Sequence, residues 1–466
     1  MDRAPRVLAP AKTFAFPTHA VYHPSQSRPP AYHGTMDVNE QMRSDWNRRA
    51  REDAYFYAAF GRRNQEKEEF LSTAAKVTGT LEIEFSRLPP ASQDKRSALE
   101  IGCGPGRLMR AMSRHFGEIH GVDISDEMVR LAADQLKDIP HAHVQVTPDS
   151  TLGMFVDGSF DFVYSHIVFQ HIPDRDVVLK YLREAGRVLK PGGILRCELR
   201  GERPPDSEMK GESATWTGCY FSSDEVAAFA REHHLALVAV SGIQTQYMWV
   251  TLRKPLTRLA ELDFSHVILK AVTSASGKRS VPERGKESAI SLWMDGMPQA
   301  ADLAQLEVGM GGVLLQGCYI SPICANGGCQ LYVMLPRHVP PGPLQVTLHH
   351  HDGAVLAGPV PIEVTPGPPW DPKVVSITDG INLLSKNRTD NGALKVTIED
   401  IQRPEQVSIF VDGRPIENLQ HRRTDPITFA YEFTLHLTNK VKNGERRLDI
   451  SMSGRVLSST VLTVAR

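Results

Sequence analysis

The chain has 466 residues, 41% of them apolar and 23% charged, the balance of a globular protein rather than a disordered or fibrous one. That length is too great for one ordinary core and predicts roughly two to four domains. A net charge of -1 leaves no global field to draw the molecule to nucleic acid or to an anionic membrane, although a local basic patch stays open, and no apolar run reaches the roughly 18 residues of a membrane span.

In chain order, residues 1–35 hold Arg3 and Arg6 but no continuous apolar stretch ahead of "YHPSQSRPPAYHG". They predict a disordered extension and no secretory signal, and Met36 offers an alternative start. Residues 36–255 form the first predicted domain. Its opening, 38–87, carries Met42, Trp46, Ala50, Tyr55 and Ala58 at helical spacing, and "PPASQDK" then breaks the pattern.

From Ala98 onward short apolar runs alternate with amphipathic ones. "ALEI", "EIHGVDI", "AHVQVT", "FDFVYSHI", "GGILRCELR" and "LALVAVSGIQTQ" read as strands. "RLMRAMSRHF", "DEMVRLAADQL", "DRDVVLKYLREAGRVL" and "SSDEVAAFAREHH" read as helices. This alternation implies right-handed βαβ units and a mostly parallel sheet.

After Pro255 the texture changes to short strand-like runs separated by Gly and Pro, with "PGPPWDP" as a linker. Strands at intervals of about 8 to 12 residues predict two β-sandwich modules, 256–367 and 368–466. The fold class is therefore α/β plus all-β. The Asp-Gly pairs of "HHDGAVL" and "VDGRPIE" are hairpin chemistry. Trp293, Tyr319 and Trp370 in these modules are core residues or recognition platforms. Six cysteines, at 103, 197, 219, 318, 324 and 329, include no CxxC pair and read as isolated reduced thiols of a cytoplasmic protein. Cys318, Cys324 and Cys329 near the histidines at 349–351 invite a zinc reading, but their spacing matches no closed tetrahedral set, and no metal is expected.

The stretch "ALEIGCGPGRL" places Gly102, Gly104 and Gly106 behind a strand and ahead of a helix. Without Cβ atoms the backbone can approach a nucleotide closely, and the helix that follows points free N–H groups at it. A dinucleotide fingerprint requires glycine at 107, where Arg107 stands. The remaining pattern, E-x-G-x-G-x-G from Glu100, resembles that of class I methyltransferases, which bind S-adenosylmethionine. "EIHGVDIS", "DGSFDFVYSHIVFQHIP" and "LREAGRVLKPGGILRCEL" resemble the later motifs of the same family, so the resemblance covers about residues 95–255.

The resemblance implies a Rossmann-like seven-stranded domain and S-adenosyl-L-methionine as cofactor. It implies Glu100, Gly102, Gly104 and Gly106 around the methionine moiety, Asp123 at the ribose hydroxyls, and Asp149 with Ser150 beside the adenine. Ile124 and Met128 flank that ring, or else are ordinary core. The family has no shared catalytic base, so His166, after the fourth strand, is the candidate for that role; the alternative is a pocket-lining residue. His171 reads rather as packing or capping. Trp216 and Tyr220 are candidates for the acceptor pocket or for stapling their loop, and Arg200 ends the fifth strand beside them. In the opening helix Tyr55 and Tyr57 are candidates to close over the cofactor, beside Trp46 and Arg49.

The acceptor is expected to be an oxygen or nitrogen of a small molecule or glycan, or a protein. No N-P-P-[YW]-type signature stands at strand four, where the sequence is "SHIV", and no aromatic-basic interleaving supports nucleic acid. The sandwich modules suit a protein or polymer partner. The competing reading is a non-catalytic cofactor-binding scaffold.

Overall fold

The computed structural model describes residues 37–59, 63–203, 214–256, 262–285, 287–335, 339–380, 386–390, 392–417, 419–425, 428–438 and 441–465. The extension expected over 1–35 lies outside them. Helix α1 (Val38–Ala59) is interrupted at Asp53, whose φ of -168° and ψ of 83° are extended; the Asp53 carboxylate then accepts the Phe56 N–H at 3.0 Å and restarts the helix. Helices α2 (Lys67–Ser72) and α3 (Ala74–Glu82) follow.

The sheet begins with β1 (Ser97–Ile101), and α4 (Arg107–Met112), β2 (Glu118–Asp123), α5 (Asp126–Leu136) and β3 (Ala142–Val146) follow. After β4 (Phe160–Ser165), α6 (Arg175–Val188) and β5 (Leu189–Leu199) come α7 (Ala214–Thr217), α8 (Ser223–Glu232), β6 (Ala236–Ser241) and β7 (Met248–Arg253). Their order across the sheet is β3-β2-β1-β4-β5-β7-β6, with β7 antiparallel to both neighbours. The order reverses between β1 and β4, so the crevice outside the carboxyl ends of those strands is the place for a ligand. Helix starts are fixed locally: Ser125 accepts the Met128 N–H, Asp174 caps α6, and Ser222 and Glu225 form a capping box on α8.

Strand β7 is the element that the sequence reading leaves undivided. "LALVAVSGIQTQYMWVTLR" has no Asn-Gly or Asp-Gly pair to mark a hairpin, and the turn is made instead by Gly242 and by Gln244 at φ +60°.

Strands β8 (Ile268–Ser274), β9 (Ser280–Pro282), β10 (Ala289–Asp295), β11 (Leu306–Met310), β12 (Val313–Gln316), β13 (Tyr319–Ile320), β14 (Cys329–Met334), β15 (Gly342–His350) and β16 (Val355–Thr365) make the first sandwich. One of its sheets is β12-β11-β15-β16-β9. The other, β13-β14-β10-β8, continues the first-domain sheet beyond β6 into eleven strands. The seam is short: Tyr319 pairs with Ala239, and the Val240 N–H donates to the Cys318 carbonyl at 2.9 Å. Arg87 reinforces it, donating to the Ile320 carbonyl at 2.7 Å with its guanidinium 4.8 Å from the Tyr319 ring centre. One continuous apolar core runs from Met42 to Val364 across position 255.

The second sandwich contains β17 (Lys373–Asp379), β18 (Arg388–Thr389), β19 (Ala393–Glu399), β20 (Val407–Val411), β21 (Arg414–Pro415), β22 (Gln420–Asp425), β23 (Ala430–His436), β24 (Gly444–Met452) and β25 (Arg455–Val464). It has its own core of residues such as Leu394, Val396, Phe433 and Ile450. The expected hairpin at Asp412-Gly413 is present, both residues at positive φ as a type I′ turn requires. The Arg284 guanidinium lies 3.7 Å from the Trp370 ring centre, and Phe429 meets that ring edge-on at 5.1 Å, so Trp370 joins the two modules. Trp293, by contrast, is 42% exposed.

Candidate active site

The loop after β1 has Gly102, Gly104 and Gly106 at φ +72°, +51° and +81°, all in the left-handed region. At Gly102 space demands glycine as well, because a Cβ would stand 2.3 Å from a Val168 methyl. Gly106 is the N-cap of α4. Gly104 has open room around it, and its N–H donates to the Asp123 carboxylate at 2.9 Å. The loop and the end of β2 are thus tied to each other at the mouth of a crevice.

That crevice encloses about 870 Å³ of empty space, part of it open solvent, which is room enough for a nucleoside-sized ligand. Glu100, Gly102, Gly104, Asp123, Ile124, Met128 and His166 all line it, whereas Gly106, the third expected glycine, is not among the lining residues. So do Met42, Trp46 and Tyr57 of α1. Helix α1 is held across the strand ends by Arg43, which donates to the Thr147 and Pro148 carbonyls, and by Asn47, which accepts from Ser125. Tyr57 donates to Glu52 at 2.9 Å, whereas Tyr55 stacks on Phe70 at 4.2 Å and is not among the lining residues.

Two carboxyl groups in the crevice are held away from their ordinary range. Burial pushes Glu100 up to about 8, against the pull of the Tyr164 hydroxyl at 3.0 Å and the Arg107 charge. Burial likewise lifts Asp123 to about 6, although three backbone N–H groups, of Ser125, Gly104 and Ile124, favour its charged form. Glu100 therefore carries its proton near neutrality. Asp123 is largely ionised there and able to accept two hydroxyls.

His166 follows β4. Its Nδ1 lies 2.7 Å from the Glu198 carboxylate, and its ring stacks on Trp249 with 8° between planes. Glu198 is 2% exposed and also accepts the Ile167 N–H at 3.2 Å. A carboxylate beside Nδ1 favours the tautomer that carries its proton on that nitrogen. Glu198 was not singled out from the sequence, although an acid inside the apolar run "ILRCEL" is the signal that marks it.

Not every expected residue reaches the crevice. The Asp149 carboxylate turns back onto Thr151, accepting its N–H at 2.8 Å and its hydroxyl at 2.6 Å, and Ser150 is buried. Neither lines the crevice, and from that connection Thr147 does. His171 is buried with its ring edge-on to Trp46 at 5.6 Å, a packing role. Arg200 is buried at the end of β5, its carbonyl accepting from Phe221. The Tyr220 carbonyl accepts from Arg175. Neither Arg200 nor Tyr220 is among the lining residues. The Trp216 side chain lies outside the described residues. Of the cysteines near the 349–351 histidines, Cys318 and Cys329 are buried and Cys324 is exposed.

Residues 99–197 match the family model described as a methyltransferase domain. Phosphoethanolamine N-methyltransferase 2 of Caenorhabditis elegans is 27% identical over 163 residues, 34% of this chain and 37% of that protein. 2-Methyl-6-phytyl-1,4-hydroquinone methyltransferase of Synechocystis is 32% identical, covering 28% of this chain and 37% of the relative. Ubiquinone biosynthesis O-methyltransferase of Xanthomonas campestris is 29% identical, covering 31% and 64%. The chain thus spans well under half the length of the first two relatives. Geranyl diphosphate C-methyltransferase of Streptomyces coelicolor, solved with S-adenosyl-L-homocysteine, aligns with 47% of this chain and 98% of that one at a TM-score of 0.35 and 15% identity.

Fold, loop and match together define a class I, S-adenosylmethionine-dependent methyltransferase domain. Among the described residues no helix is long and apolar enough to cross a membrane.

Proposed function

We propose that this chain transfers a methyl group from S-adenosylmethionine to an oxygen or nitrogen of a small molecule or glycan. The observation that carries the reading is the pairing of His166 with buried Glu198 at a crevice that Gly102, Gly104 and Asp123 also line. The crevice fits the cofactor: a glycine at 104 leaves space that a side chain would fill, and Asp123 presents a carboxylate to paired hydroxyls. Glu100 and the 102–106 backbone would hold the amino-acid portion, and Ile124 and Met128 the ring.

The bound cofactor supplies an activated sulfonium methyl. The chain itself aligns the nucleophile and exposes the His166 Nε2 to the acceptor's O–H or N–H, with Glu198 stabilising the imidazolium that results. The printed names of two relatives, one an N- and one an O-methyltransferase, support acceptors of that kind.

The second sandwich bears on the acceptor end. Arg422 and Arg423 of β22 donate to Gln246 and Gln244 at 2.6 and 2.5 Å, in the β6–β7 turn beside the end of β5. This contact favours a module that shapes acceptor access or carries a polymeric acceptor, over a scaffold with an idle site.

Calorimetry with S-adenosylhomocysteine tests the cofactor, and its release in the presence of hydroxyl- and amine-bearing small molecules and glycans tests the reaction. Absence of binding, or binding unchanged by Asp123→Ala, overturns the reading. Binding without turnover on any acceptor favours the scaffold.

A further inference from the structure

At the opposite end of β2 from Asp123, three donor groups converge on the outer edge of the sheet. The parallel pairing of β2 with β3 sets His120 beside His143, and Glu118, two residues before His120, points to the same face. The other face of these strands is covered by α4 and α5, which contact β2, and α5 also contacts β3. On the donor face the connection from β3 to β4 contains no helix, so polar side chains stand there half-exposed.

The donors are ordered. His143 Nε2 lies 3.0 Å from a Glu118 oxygen, and the His120 and His143 ring centres are 5.0 Å apart. The His120 ring is fixed from behind by edge-on contacts with Phe155 and Phe160 at 5.6 and 5.5 Å. One ligand atom from each of Glu118, His120 and His143 falls within 4.8 Å of the others. A metal bound at about 2.0–2.2 Å places neighbouring donors roughly 3 to 3.5 Å apart. The His143–Glu118 pair has that spacing already, and His120 offers the third ligand atom within 4.8 Å of both.

We propose that Glu118, His120 and His143 form a binding site for a borderline divalent transition metal, Zn²⁺ foremost, that clamps edge strand β3 to β2. Two imidazoles and one carboxylate select such ions over Mg²⁺ or Ca²⁺, which take oxygen donors. Three protein ligands leave the remaining positions to water. The site is independent of the methyl-transfer crevice, and its role is to stiffen the strand whose far end carries Asp123.

The test is a titration of the full chain, cleared of metal with chelator and carrying no purification tag, with Zn²⁺ followed by calorimetry and thermal unfolding, and with Co²⁺ followed by visible absorption. One equivalent is expected to bind with a rise in melting temperature and with cobalt d–d bands. His143→Ala, at an exposed position, weakens that equivalent at least tenfold and abolishes the melting shift; Glu118→Gln weakens it less. His350→Ala, in the separate histidine run, leaves it intact. Unchanged S-adenosylhomocysteine affinity in metal-free His143→Ala shows that the variant is folded. Absence of a bound equivalent, or one that survives both His143→Ala and Glu118→Gln, overturns the site and leaves only a surface ion pair.

Discussion

The Nδ1 of His166 and the carboxylate of Glu198 are 2.7 Å apart, joining the end of β4 to the end of β5. If Nε2 removes the acceptor's proton, His166→Ala lowers turnover by about 10²–10⁴-fold while S-adenosylhomocysteine affinity stays within about threefold. Glu198→Gln is expected to act through the imidazole that its carboxylate positions. It lowers kcat with little change in acceptor KM, removes the downfield Nδ1 proton resonance, and is partly rescued by Glu198→Asp. Cofactor affinity falling in step with turnover in His166→Ala would show a pocket-lining role instead.

Cofactor affinity should depend on pH through Asp123. Burial holds this carboxyl at about 6 in the free protein, and two donated hydroxyls favour the ionised form. Below pH 6 a proton must leave before the ligand binds, so S-adenosylhomocysteine affinity falls as pH drops, by at most tenfold per unit. Asp123→Asn flattens the profile and weakens binding at pH 7.5 by about 1.5–3 kcal/mol. Calorimetry between pH 5 and 8 reads both effects.

Glu100 gives the complementary effect on stability. Its folded value near 8 lies above the 4.5 of an unstrained side chain, so between those limits the folded state binds more protons than the unfolded one. Stability is then greatest below pH 4.5, as far as this group contributes, and declines as pH rises toward 8. Glu100→Gln mimics the protonated carboxyl and removes the decline. Denaturant melts at pH 9 should show the variant more stable than the parent by a few kcal/mol, at about 1.4 kcal/mol per pKa unit. At pH 5 the two should match closely.

The loop glycines separate packing from binding. Gly102→Ala drives a Cβ to 2.3 Å from Val168 in a left-handed conformation, and should cost about 2–4 kcal/mol in chemical denaturation. Gly104→Ala meets no atom closer than 3.8 Å. Its stability cost should stay near the roughly 1–2 kcal/mol of the backbone conformation, and its main effect should be weaker S-adenosylhomocysteine binding.

Truncation should respect the cores rather than the sequence texture. Residues 1–367 keep the continuous core intact and lose only the second sandwich with its separate core, so they should remain folded and bind the cofactor. Residues 1–255 expose the β6 edge and the apolar surface once buried against Leu303, Leu306 and Leu331, and should aggregate. Size-exclusion chromatography and circular dichroism distinguish the two.

What the sequence determined by itself is local in origin. The alternation of strand and helix, the three glycines behind β1, Asp123 at the next strand end and the Asp-Gly hairpins all follow from side-chain period, steric freedom and short spacings. Tertiary structure decided what depends on residues distant in the chain. Glu198 became His166's partner only because β4 and β5 pair, 32 positions apart. The Asp149 carboxylate, expected beside the adenine, turns instead onto the N–H and hydroxyl of Thr151. The composition shift at Pro255 predicts a domain boundary, yet the sheet crosses it through Tyr319 and Ala239. An edge strand's free N–H and C=O groups pair with whatever strand packing brings beside them, and nothing in the order of residues records which strand that is.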